Sequence, residues 1–249
     1  ELYKLVSNTV EDSIRTACWE SILAVCKTVN DVLPAAILLL GGDDLLVYLA
    51  ADTAIPFAIS VAKKFSEEAS KRINAIDDSS LTGQFANLNL TISIGISFGK
   101  SYTPFSIMLN QAEELLRSAK KTRRNKIDSQ MDSTNQPYID YHLASNFNQI
   151  DVKSSRLNHL TLCGNYVAPS KKRYLRLYQK PYSLKELETL WDSAKSLLKS
   201  GISSTKLRQL GYAPTLGKIN GIIEYLYTFT RLKNDEQRRM VADALSKFG

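Results

Sequence analysis

Four consecutive residues, Gly41-Gly42-Asp43-Asp44, carry the densest chemical signal in the sequence. Neighbouring carboxylates a few ångströms apart repel one another, and a divalent cation between them removes that cost. Magnesium suits such a pair because it combines one or two carboxylates with water and substrate phosphates. Two glycines without Cβ atoms let backbone approach a bulky triphosphate. Asp43 and Asp44 are therefore the candidate catalytic groups and metal ligands, with Gly41 and Gly42 as candidate nucleotide-contacting backbone. The same tetrapeptide is also a good turn on composition alone, so its surroundings decide between chemistry and plain chain reversal.

Those surroundings are ordered. An apolar run from Ile37 to Leu40 precedes the tetrapeptide and another from Leu45 to Leu49 follows it, which predicts a β-hairpin with the aspartates at its tip. Upstream, apolar residues recur at helical spacing from Leu2 to Val32, with Pro34 beyond the end. Downstream, Ala54, Ala58, Val61, Ala62, Phe65, Ala69 and Ile73 line one face of a second helix, with Asp52 and Pro56 placed in its first turn. From Leu88 to Phe98 apolar residues alternate with Asn, Thr, Ser and Gly, the period of a strand covered on one face only. Ser93 and Gly95 lie on its small polar face, with room there for a ligand or for solvent. Pro104 and Phe105 open a third helix, buried through Met108, Leu109, Ala112, Leu115, Leu116 and Ala119, whose basic end includes Lys120, a group able to meet a phosphate.

Ile76 to Asn87 and Asp128 to Gln136 read as loops, and Tyr138 to Leu143 and Tyr174 to Tyr178 as further strands. Beyond Pro181 the pattern is helical throughout, with capping pairs Ser183/Glu186 and Asn234/Gln237. The order predicts an α/β (α+β) chain, with a ferredoxin-like palm domain over residues 1–180 and an all-helical domain over 181–249. That fold begins with a strand before its first helix. The sequence starts inside the helix, so the strand is expected from an N-terminal part or from another chain.

Bulk properties agree with a globular protein. The chain has 249 residues, 44% hydrophobic and 23% charged, with no run of the roughly 20 apolar residues that a membrane span requires. No membrane partner and a cytoplasmic location are expected. Three cysteines without a CxxC pair, and two histidines, argue against structural zinc. The net charge of +7 is concentrated in Arg117, Lys120, Lys121, Arg123, Arg124 and Lys126, and again in Lys171, Lys172, Arg173, Arg176 and Lys180. Such clusters suit solvation, phosphates or RNA alike. Tyr174, Tyr178 and Tyr182 beside them suit base stacking or packing at a domain seam.

Leu38 to Val47, Thr91 to Ile96, Ala112 to Lys120, Tyr138 to His142 and Lys180 to Leu187, in that order, resemble the second palm domain and the start of the C-terminal helical domain of the large subunit of type III CRISPR effector complexes. The resemblance implies synthesis of cyclic oligoadenylate messengers from ATP, dependent on Mg2+ or Mn2+, when a guide-bound complex captures target RNA. It implies that Asp43 and Asp44 hold the metal, that Lys120 holds phosphate, and that Ser93 and Gly95 border the nucleotide. Partners would be the other effector subunits, and guide and target RNA through the complex. The family's first palm domain, and the first strand of this one with its own acidic residue, fall outside these residues, so the isolated chain is expected to be weakly active or inactive.

Two other readings fit parts of the pattern. A diguanylate cyclase shares the palm topology, but its hairpin normally continues with Glu and Phe where this chain has Asp44-Leu45. A catalytically silent subunit would keep the fold and use its basic surface to grip RNA or neighbours.

Overall fold

A computed structural model describes residues 2–28, 30, 32–75, 90–128, 135–143, 151–159, 161–164, 173–176 and 179–246. The expected loop from Ile76 to Asn87 lies outside these residues, as do Lys171, Lys172, Tyr178 and most of the loop after Asp128. The chain is a mixed α/β protein that divides into two compact units, Glu1–Ala144 with Pro181–Leu184, and Ser145–Lys180 with Lys185–Gly249.

The first unit is built on an antiparallel pair of long helices, α1 (Leu2–Val25) and α2 (Ala51–Asn74). Ile14, Ala17, Cys18 and Ile22 of α1 meet Phe57, Val61, Phe65 and Ala69 of α2, each set at the three-to-four-residue spacing of a single helix face. The orientation is fixed by cross-links that run in opposite senses: Ser60 Oγ donates to Ser21 Oγ at 2.9 Å, Lys64 pairs with Glu20 at 2.6 Å, and Arg72 with Asp12 at 3.4 Å. The expected first helix is shortened at its end. It stops at Val25 rather than Val32, and Asn30 adopts φ 50°, a left-handed turn that Asn tolerates and that reverses the chain toward the hairpin. Pro56 lies deeper in α2 than its first turn, since the helix begins at Ala51.

Cys18 is fully buried in this helix pair, and burial pushes its thiol up to about 11. Because the thiolate is the reactive form, Cys18 is expected to resist a disulfide reagent at pH near 8 in the folded chain and to react once the chain is unfolded. Rapid labelling without unfolding would contradict this packing.

Two sheets lie on the helix pair. Strands β1 (Ala35–Gly41) and β2 (Asp44–Leu49) form the predicted hairpin. Strands β3 (Ser93–Phe98) and β4 (Tyr138–Leu143) pair in parallel through the crossover helix α3 (Phe105–Asp128). Among the described residues the hairpin and this sheet are not hydrogen-bonded to each other. Both nevertheless contribute to one core, with Ile37, Leu40, Leu45 and Val47 from the hairpin and Leu90, Ile92 and Ile94 from the β3 segment packed on α1 and α2. Among the described residues the ladder begins at Ser93, with Leu90 and Ile92 just upstream in core contact, and the expected strand start at Leu88 lies outside the described residues.

Later in the chain come the short helix α4 (Val152–His159) and an antiparallel pair, β5 (Thr161–Gly164) with β6 (Arg173–Arg176). Strand β7 (Tyr182–Ser183) then adds antiparallel to β4, and Tyr182 stacks on Tyr141 with ring centroids 6.1 Å apart. This tyrosine therefore packs within the first unit. Burial pushes the Tyr141 phenol up to about 12, with the nearby Tyr182 and Asp140 adding to the effect.

The second unit continues with α5 (Leu184–Lys199), α6 (Ser204–Tyr212), a 3₁₀ turn (Ala213–Leu216), α7 (Lys218–Thr230) and α8 (Asp235–Ser246). Ile202, Leu232 and Val241 form its core with Leu197, Leu207, Leu210, Tyr225 and Phe229. The predicted Asn234/Gln237 cap is present: Gln237 N donates to Asn234 Oδ1 at 2.9 Å, and Lys233 N donates to Gln237 Oε1 at 3.0 Å. Gly221 is required where α7 meets the 3₁₀ turn, because a Cβ there would stand 2.5 Å from the Ala213 carbonyl oxygen. No helix among the described residues is long and apolar enough to cross a membrane.

Candidate metal and nucleotide site

The hairpin tip is a two-residue turn. Gly41 pairs with Asp44 across the ladder, leaving Gly42 and Asp43 as the central residues. Gly42 has φ +59° and Asp43 is not in the positive-φ region, the pattern of a type II′ turn with glycine first. The turn matches the right-handed twist of its strands, and only glycine enters that first position without strain. Gly41, Gly42, Asp43 and Asp44 are all exposed, and a Cβ built on either glycine would meet nothing within 4 Å. The tip is therefore open to a large anionic ligand.

Position along the strands sets the direction of the carboxylates. In β2, Leu45, Val47 and Leu49 turn toward the helix pair, which places Asp44 on the opposite face with Leu46 and Tyr48. In β1 the register shifts between Ile37 and Leu39, so the inward positions change from Ala35 and Ile37 to Leu40. That bulge leaves Leu38 and Leu39 exposed together. The aspartates thus stand at the end of a stiff, well-anchored ribbon rather than on a long loop.

Among the described residues no three His, Cys, Asp or Glu side chains cluster as a metal-binding group. Two exposed carboxylates beside open glycine backbone fit a hard cation that takes its remaining ligands from water and phosphate oxygens. They do not fit zinc, which needs a fuller set of protein ligands.

The other sequence-predicted residues fall elsewhere. Lys120 is exposed on α3, the helix that covers β3 and β4, and no described contact joins it to the hairpin tip. Ser93, Gly95 and Ser97 face α3: Ser97 Oγ donates to Gln111 Oε1 at 2.8 Å, and a Cβ on Gly95 would stand 2.2 Å from Ala112 O and 2.5 Å from Leu116 N. Packing against α3 accounts for the small residues at Ser93 and Gly95, the two positions that the resemblance sets beside a nucleotide. Their face is filled by a helix, and Gly95 is small because helix backbone occupies the space a side chain would need. Asp140 and His142, register partners of Gly95 and Ser97 on β4, are buried on this same side. The sequence reading missed this polar seam, and its one visible signal was Gln111, which sits four residues before Leu115 in the buried stripe of α3.

Comparison with known proteins now bears on the fold and the tip together. Residues 13–128 match the family described as Cas10/Cmr2, second palm domain. This segment is similar to a Cas10/Cmr2 palm domain. The match runs from α1 through the aspartate hairpin to the end of α3, so it includes Asp43, Asp44, Gly95 and Lys120. Over these residues the match supports a palm domain of the kind found in type III CRISPR large subunits. No curated protein matches it.

Proposed function

We propose that the hairpin tip of this palm domain is part of a metal-dependent nucleotidyl-transfer site, which makes cyclic oligoadenylates from ATP when a type III effector complex binds its target RNA. The observation that carries the reading is the exposed Asp43-Asp44 pair on a glycine turn, inside a segment of palm family. A bound Mg2+ or Mn2+ would neutralise the triphosphate and lower the cost of bringing a 3′-hydroxyl to it. Asp43 and Asp44 would hold that ion, and Gly41 and Gly42 would let the phosphates lie against the backbone. In the reaction the 3′-oxygen bonds to an α-phosphorus, the bond to pyrophosphate breaks, and the hydroxyl proton leaves to solvent or base.

Two carboxylates are a sparse set, and the apolar hairpin surface at Leu38, Leu39 and Tyr48 is exposed. Both features support a site completed by further protein. A strand between the hairpin and the β3 sheet would join the two, and an acidic residue at its end would supply a third ligand. Lys120 belongs to this proposal as a phosphate-holding group that acts once the rest of the subunit is present.

The test is ATP consumption by the assembled effector complex with target RNA, with Mg2+ present and then removed by a chelator. Formation of oligoadenylates only with metal and target is expected. Consumption of GTP with ATP untouched would favour the diguanylate cyclase reading, and no turnover of either would leave the silent subunit.

A further inference from the structure

We infer that the outer ridge of α3 is a docking site for the phosphodiester backbone of an RNA strand. The buried stripe of this helix is Gln111, Leu115 and Ala119. On the opposite side Arg117, Lys121 and Arg124 are all exposed and succeed one another at four- and three-residue steps. They form a line about 10 Å long, the axial span of about three nucleotides in a helical strand.

Ordinary explanations cover part of this cluster and leave these residues over. Arg123 is structural: its Nη1 donates to Thr91 Oγ1 at 2.8 Å and to Thr91 O at 3.3 Å. Lys126 lies 5.8 Å from the centre of the Tyr138 ring. Arg117 has Glu113 at 3.0 Å, but no ion pair of Lys121 or Arg124 occurs among the described residues. Helix-dipole compensation acts within the last turn, and this line ends at Arg124, before the last turn that closes at Asp128. The positive charges also oppose one another: burial and then the charge of Arg124 both lower the proton affinity of Arg123. A polyanion relieves that repulsion.

The chemistry of the ridge selects among polyanions. From Arg117 to Arg124 the exposed face has no large apolar side chain, so it lacks the apolar centre of a protein interface and the inserted residues of a membrane-surface helix. Phosphate contacts need only cations in a line. The choice of RNA among phosphate polymers rests on the palm-domain reading above, whereas the ridge is tested without ATP and without turnover.

The experiment is fluorescence anisotropy of a labelled mixed-sequence single-stranded RNA with the full chain, titrated across salt concentrations. Lys121→Gln with Arg124→Gln is compared with Lys195→Gln plus Lys199→Gln, exposed lysines on α5 that remove the same formal charge. Glutamine is a good helix former and all four positions are solvent-facing, so circular dichroism is expected to be unchanged. The ridge variant is expected to bind RNA about tenfold more weakly at low salt, and its slope of log K against log salt to flatten by about 1.4, the value for two lost single-strand contacts. The control pair is expected to leave both unchanged. Equal slopes for ridge variant and parent, equal flattening by the control pair, or equal competition by a polyglutamate peptide would each overturn the assignment.

Discussion

Asp43→Asn combined with Asp44→Asn is expected to lower ATP turnover by the assembled complex by about a thousandfold or more, equivalent to about 4 kcal/mol of transition-state stabilisation. Both side chains are exposed and neither is part of the helix-pair core, so their amides leave the fold intact. Asparagine preserves size and turn compatibility while removing the two negative charges. Complex assembly and RNA binding should therefore persist while product disappears. That split separates the catalytic reading from the silent one: if product forms at the parental rate, the aspartates serve only as a turn. Each single variant should lose less than the pair, because the remaining carboxylate still offers one charge to the cation. Turnover retained by the double variant with the chelator sensitivity of the parent would place the metal elsewhere in the subunit.

Much of this tip was legible because its signals are local. Glycine at a positive-φ turn position, aspartates beside it and apolar runs on either side depend on a few consecutive residues, and the hairpin follows from them. Helix pairing was legible for the same reason, since Ile14, Cys18 and Ile22 on one side and Phe57, Val61 and Phe65 on the other mark their buried faces by spacing alone. What failed to show was anything set by a distant neighbour. The register shift in β1 lies within a uniform run of leucines, and only pairing with β2 reveals which of them turn outward. The end of α1 was overrun because Val29 and Val32 continue the apolar period past the point where the chain reverses at Asn30. On β3, the row Ser93, Gly95 and Ser97 is equally consistent with an open pocket or a close-packed helix, and only the placement of α3 chooses.

That choice has a large and measurable consequence. Gly95→Ala should destabilise the palm domain by about 3 kcal/mol or more, because the new methyl group would press on Ala112 O at 2.2 Å and Leu116 N at 2.5 Å. Both atoms are helix backbone, which cannot turn aside as a flexible side chain would, so relief requires α3 to lift from the sheet and loosen Ser97 from Gln111. Alanine favours neither turn nor strain at this position, and its effect is purely steric. A fall in melting temperature of roughly 6–12 °C is the expected reading for a domain of this size. Gly41→Ala provides the contrast, since that glycine has open space around it and no positive φ, and its stability change should stay within about 0.5 kcal/mol. If Gly95→Ala kept its full melting temperature yet weakened nucleotide binding in the complex, the packing role assigned here would be wrong and the strand face would have to open toward the nucleotide. If both glycine variants melted like the parent, the close approach of α3 to β3 would itself be in error, and with it the seam that holds Asp140 and His142 out of solvent.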